Sequence, residues 1–266
     1  MVDNKHINFD VLGIGTWGPT FHNWQDLSAL LRGETIDTES AKGPKPEIIP
    51  ANERRRAPLP VRLAVESSWQ ASQQAGIDPA ELTSVFVSGL GDTQLTDYMC
   101  RTLAGDNKAL SPTKFHNSVH NAAAGYWTIS TGCMQAANSV AGFQESVSLT
   151  LLEGLIQCHA EQRPVMLTFY DAPCSEVLRD LMKNEIAFAA SIVVAPTNKK
   201  GETNQIQLQQ KHVDWPEFTA NDFLQSCYTT NPVGRILPIL QTIAQGTSSD
   251  IEMPISADTS IKLSLS

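Results

Sequence analysis

The sequence predicts an α/β fold in which helices pack on a central sheet, and three observations carry that expectation. Short apolar, β-branched runs at 7–15, 83–88, 165–170 and 187–195 have the length and composition of strands. Between them lie segments of helical periodicity with legible starts and stops. The two types alternate along the chain, as they do where helices cover a sheet.

The first strand, 7–15, carries Phe9, Val11, Leu12 and Ile14. It leads into Gly13-Ile14-Gly15-Thr16-Trp17-Gly18, which satisfies the G-x-G-x-x-G pattern of dinucleotide sites. Trp17 and Pro19 crowd the place where backbone would meet a pyrophosphate, and Asp37 lies in a polar segment instead of at a strand end. A nucleotide-binding oxidoreductase is therefore the weakest of the functional readings. A short helix at 24–31 closes at Gly33, followed by a charged, proline-bearing loop at 34–52. Arg54, Arg55 and Arg56 read as a salt-bridged basic loop, the alternative being a contact for an acidic carrier protein or a phosphate.

From Pro60, a favoured first-turn residue, Val61, Ala64, Val65, Ser68, Ser72 and Ala75 recur at helical spacing until Gly76. Asp78-Pro79-Ala80-Glu81 leads into the strand at 83–88, and a helix at 92–103 starts from Asp92 or Thr93. A loop follows at 105–110.

The stretch 111–144 is the most informative. Ser111-Pro112 starts a helix that runs through Asn117, Val119 and Asn121 to the small residues 122–125, with Tyr126, Trp127 and Ile129 continuing its apolar surface. The expectation is one deeply packed helix whose small residues admit a neighbouring backbone. His116 and His120 are four apart and share a helical face, but no H-E-x-x-H pattern or third ligand accompanies them, so buried hydrogen bonding is the expected role. Cys133 reads as a packed thiol, a Cys–His hydrolase lacks an orienting partner, and no G-x-S-x-G occurs for a serine hydrolase. Ser139, Val140, Ala141, Gly142 and Phe143 form a short strand and a helix begins at Glu145, which places Gln144 at a strand-to-helix elbow. Such elbows hold a reactive group over a helix N-terminus, where backbone N–H groups favour negative charge.

Downstream, the helix ends near Arg163-Pro164, and the apolar strand 165–170 and the loop at Asp171-Ala172-Pro173-Cys174 follow. The strand at 187–195 is almost continuously apolar, as for burial on both faces. A turn at 198–203, an exposed strand at 205–213, helical pieces at 223–228 and 233–245 broken by Asn231-Pro232, and terminal strands within 251–266 complete the chain.

The pattern S-P-x-x-F from Ser111 to Phe115, followed by Asn121, Ala124, Gly125, Ile129 and Gly132 and then by a strand and an elbow, resembles the N-terminal half of the β-ketoacyl synthases. These are condensing enzymes of the thiolase fold. With those positions matched, the nucleophilic cysteine of an active synthase falls on Gln144. Glutamine there resembles the chain-length factors, and F-H-N-S-V-H-N-A-A-A-G-Y-W is similar to the short subunit of aryl polyene ketosynthase complexes. The resemblance implies a thiolase-like fold with a mixed central sheet covered by helices. It also implies a single domain over 1–266, in which 1–196 is the N-terminal-half core and 197–266 a short remnant replacing the second half.

The family's H-G-T-G-T and G-H motifs are absent from the sequence. A glutamine amide is no nucleophile near neutral pH, and without the imidazoles nothing stabilises an enolate. The implied function is a non-catalytic subunit, requiring no cofactor, that pairs with a full-length ketosynthase and meets acyl carrier protein through the complex. In that reading the strand at Ser139 to Phe143 pairs across the dimer axis, and Lys114, Phe115 and Ser118 gate the partner's acyl tunnel. The alternative is a self-contained acyl-binding or condensing homodimer.

With 266 residues, 41% of them hydrophobic, the chain is long enough for a well-buried domain. A net charge of −9 argues against a nucleic-acid partner. The N-terminus lacks a signal-peptide core and no apolar run reaches the ~20 residues of a membrane span, so a cytoplasmic location is expected. Five scattered cysteines without a C-x-x-C pair read as reduced, buried small hydrophobes.

Overall fold

The structure, a computed structural model, describes residues 6–197 and 203–266. The first strand, β1 (His6–Trp17), precedes α1 (Trp24–Leu31), whose N-terminus is capped by Asn23 accepting from the Asp26 amide. After the four-residue α2 (Ala51–Arg54) comes α3 (Leu59–Ala75), which Gly76 closes in the left-handed region at φ 66°. Next are β2 (Thr83–Val87) and α4 (Thr93–Ala104), capped by Asp92 as expected. The central part holds α5 (Pro112–His116), α6 (Ala122–Thr131), β3 (Ala137–Val140), α7 (Ser146–Glu161) and β4 (Val165–Asp171). Then follow α8 (Arg179–Met182), β5 (Phe188–Pro196), β6 (Asn204–Gln209), α9 (Asp222–Thr230), α10 (Leu237–Gln245), β7 (Ser249–Pro254) and β8 (Ser260–Leu265).

The strands form one eight-stranded sheet in the order β3-β2-β4-β5-β1-β6-β8-β7. It is mixed: β2 runs parallel to β3 and β4, and the remaining pairs are antiparallel. Alternate side chains feed two cores. Phe86, Met166 and Tyr170 pack with α3 and α6 residues such as Ala64 and Trp127. Val85, Leu167 and Phe169 pack with Leu151 of α7, Leu27 of α1 and Leu240 of α10. The residues after 203 add strands to this sheet and side chains to the α7 core.

The glycine pattern at the start of the chain has a packing role. A Cβ on Gly13 would lie 2.3 Å from the Ala71 carbonyl oxygen, and one on Gly15 would lie 2.1 Å from that of Ser67. The two glycines let α3 cross β1 backbone to backbone. Where α3 meets the sheet, Ser67 and Ser68 share buried hydrogen bonds with Ser191 and Thr168, so those hydroxyls are satisfied.

Several expectations are corrected. The single deep helix of 111–129 is two helices separated at 117–121; α5 has no buried residue, and Ile129 is 82% exposed. No atom comes within 4 Å of a Cβ placed on Gly125, so the close backbone approach is at Gly13 and Gly15. The strand expected at 139–143 is Ala137–Val140, because the chain leaves the sheet at Ala141 to enter the elbow. The segment expected as an exposed strand at 205–213 holds β6, which ends at Gln209; it lies between β1 and β8 in the sheet, and of its side chains only Ile206 is buried while Leu208 is exposed. All but the last residue of the turn expected at 198–203 lies outside the described residues.

Candidate functional site

β3 is an edge strand, hydrogen-bonded within the sheet to β2 alone among the described residues. Beyond Val140 the backbone turns at Gly142, whose N–H donates to Ser146 Oγ at 3.0 Å. Phe143 adopts φ 49°, a left-handed conformation that is uncommon outside glycine. A single 3-10 turn, Phe143–Glu145, carries Gln144 directly into the first residue of α7. Gln144 therefore sits, half-buried, where the sequence placed it, over the N-terminal end of a 16-residue helix. An amide there can accept from backbone N–H groups but supplies neither a nucleophile nor a titrating proton.

Behind the elbow lies a carboxylate that sequence reasoning missed. Asp171, at the end of β4, is fully buried. It accepts from Ser88 Oγ at 2.5 Å and from the Gly89 and Leu90 amides at 3.1 Å each. Burial pushes its carboxyl up to about 7, against the pull of those donors. The same burial, with the Asp171 charge nearby, pushes the Cys227 thiol up, so it stays protonated at neutral pH. A Cβ on Gly89 would lie 2.6 Å from the Pro232 Cβ and 2.9 Å from the Phe143 carbonyl oxygen. The loop after β2, the elbow and the Pro232–Ile236 turn thus meet at one point, and Asp171 anchors the first of them. The available signal was an acid ending an otherwise apolar strand.

The three expected gate residues lie along and just beyond α5. Lys114 holds its ammonium 3.4 Å from the centre of the Tyr98 ring, Phe115 is 59% exposed, and Ser118 Oγ donates to the Phe115 carbonyl at 2.7 Å. His116 and His120 are exposed, not buried as expected; His120 Nε2 lies 3.0 Å from the Val140 carbonyl oxygen and so links this segment to β3. No cluster of three metal-ligating side chains occurs among the described residues. Cys133 is a packed thiol donating to the Leu82 carbonyl, whereas Cys100 is exposed, against expectation. Of the interface residues, Ser139 and Val140 lie in β3, and Ala141, Gly142 and Phe143 lie between it and the elbow turn. No helix among the described residues is long and apolar enough to cross a membrane.

The model of the β-ketoacyl synthase N-terminal domain matches residues 24–246. The chain belongs to that family. Within it, solved structures of similar fold include a chain of the ketosynthase ApeO in complex with its chain length factor ApeC from Xenorhabdus doucetiae. It has TM-score 0.70 and 19% identity, with 97% of this chain and 99% of that one covered. A chain of the ishigamide ketosynthase/chain length factor superposes with TM-score 0.68 at 10% identity, covering 97% and 98%. A β-ketoacyl synthase from Burkholderia phymatum gives TM-score 0.59 at 11% identity, covering 86% of this chain and 71% of that one. No curated protein sequence matches. At these identities the superpositions establish the thiolase-like fold, in agreement with the mixed sheet and the elbow of a synthase N-terminal half.

Proposed function

We propose that this chain is a non-catalytic, chain-length-factor-like subunit that pairs with a full-length ketosynthase in type II fatty acid or polyketide synthesis, such as that of aryl polyenes. The observation that carries the reading is Gln144 at the elbow where the family's active members hold their nucleophile, beside an edge strand with an unpaired side. Exposed apolar side chains lie on the segments flanking that edge: Phe143 and Val119 near its end, Met134 on the connection from α6 before its start, and Ile129 on α6 itself. Unpaired edges and apolar patches of this kind are covered in stable assemblies. The similar ApeO–ApeC and ishigamide structures are of ketosynthases with chain length factors, which supports the same partner class. In this reading β3 extends the sheet across the dimer axis, Phe115 with Lys114 and Ser118 faces the partner's acyl tunnel, and carrier protein is met through the complex. The whole of 1–266 acts as one domain, its last 70 or so residues bracing the core where a complete synthase has a second half.

Co-expression with full-length ketosynthases, followed by size exclusion and native mass measurement, tests the proposal. A 1:1 complex is expected. A stable homodimer that loads acyl groups from carrier protein by itself would favour the self-contained alternative.

A further inference from the structure

Where the N-termini of α3 and α4 face α5, two adjoining cavities of about 170 and 440 Å³ share Pro58, Pro60, Asp92, Leu95 and Asn117 in their walls. The larger has an apolar floor, to which Leu59, Ala172 and Pro173 contribute. Most of its polar lining is already committed. Asn117, 6% exposed, donates to the Arg56 carbonyl at 3.2 Å and accepts from the Tyr126 hydroxyl at 3.3 Å. Gln94 donates to the Cys174 carbonyl, Tyr98 Oη accepts from the Ser111 amide, and Asp92 is held by capping α4 through the Leu95 amide.

Two cations remain. The Lys114 ammonium is seated over the Tyr98 ring and has no carboxylate partner among the described residues, and Arg56 reaches Glu53 only at 3.8 Å. In a chain with net charge −9, Lys114 and the weakly paired Arg56 outnumber the one lining carboxylate, Asp92, which is held at the α4 cap, and form a local complement to an anion. The first turn of α3 adds to this, because its N-cap Pro58 provides no side-chain cap.

We propose that this cavity binds an organic carboxylate with an apolar tail, the tail against Leu59, Leu95 and Pro173 and the carboxylate accepting from Lys114 and Arg56. The wall is built before any ligand arrives, since Asn117 fixes the Arg56 backbone and Tyr98 fixes Lys114. The site is lined by residues of this chain and shares Lys114 with the gate proposed above, so the test is made on the isolated chain and its outcome does not depend on pairing with a ketosynthase.

Titration calorimetry with 4-phenylbutanoate, its neutral primary amide and inorganic phosphate tests it. The acid is expected to bind about tenfold or more tighter than the amide, the scale of one charge-assisted hydrogen bond. Lys114→Met should erase that discrimination and Lys114→Arg should keep it, with the melting temperature of each variant unchanged. Equal binding of acid and amide, no binding of either, or discrimination that survives Lys114→Met together with Arg56→Ala would overturn the proposal. Phosphate displacing the acid as effectively as a second carboxylate would also overturn it, by showing a tail-independent anion site.

Discussion

The sheet core and the α4–α5 segment are both rich in apolar residues, yet their surroundings differ. Every residue of β2 and β4 is buried, and α3 buries Leu63, Ala64, Val65 and Ala71 against the sheet. By contrast α4, with Leu95, Tyr98, Met99 and Leu103 at helical spacing, buries only Thr93 and Leu95, while Phe115 and Val119 lie open. Periodicity marks a face suited to being covered; it does not say whether the cover comes from the same chain. In the core the chain supplies its own cover. Along α4, α5 and β3 it does not, and in the function proposed here the ketosynthase does.

The strongest way to break this comparison is inside the core. Gly15→Val would force a branched side chain against the Ser67 carbonyl, which a Cβ alone would approach to 2.1 Å. A loss of about 3 kcal/mol or more is expected, read as a fall in soluble yield and melting temperature. If the variant folds with wild-type stability, the crossing of α3 over β1 is wrong.

The next effect concerns the buried carboxylate that anchors the loop after β2. Asp171 has a folded-state value of about 7 against an ordinary value of 3.8. Its contribution to stability is therefore fully present below about pH 4 and is lost as pH rises toward 7. The loss amounts to a few kcal/mol, on the scale of ~1.4 kcal/mol per unit. Urea unfolding of the wild type and of Asp171→Asn from pH 4.5 to 7.5 isolates the term, because other carboxylates contribute equally to both. The gap between the two curves should change with pH in that direction; a constant gap would mean that Asp171 is ionised throughout.

A third experiment sharpens the contrast from the exposed side. Phe115→Ala and Ile129→Ser, at 59% and 82% exposure, should each shift the stability of the isolated chain by no more than about 0.5 kcal/mol. The same substitutions should lower recovery of a ketosynthase complex, and Phe115→Ala should lengthen carrier-bound products by opening space in the tunnel. A large loss of stability in the isolated chain would place these side chains in its own core. The smallest change is expected from Gln144→Ala: condensation by the complex should stay close to wild type in a single-turnover assay. Abolished turnover with assembly intact would make Gln144 catalytic.

Much of the fold was legible in the sequence because local signals agree with it. The helix at Trp24–Leu31 follows an Asn cap, α3 ends at the glycine expected to end it, and α7, β4, β5 and the break at Asn231-Pro232 fall within a few residues of their expected places. The elbow at Gln144 was legible too, since spacing along one chain fixes it. What only the tertiary structure decided depends on distant segments meeting. Gly13 and Gly15 resemble a nucleotide motif until α3 is seen crossing them, and the place of β6 between β1 and β8 has no local signal. His116 and His120 share a face in the sequence but point to solvent once the helix breaks at 117–121. Asp171 gave no warning of its role, because its donors, Ser88 to Leu90, reach it only after folding. Caps, breaks and periodicity are properties of neighbouring residues, and the sequence states them; close approach and burial are properties of residues brought together from 60 or more positions apart, as Ile14 and Gln74 are.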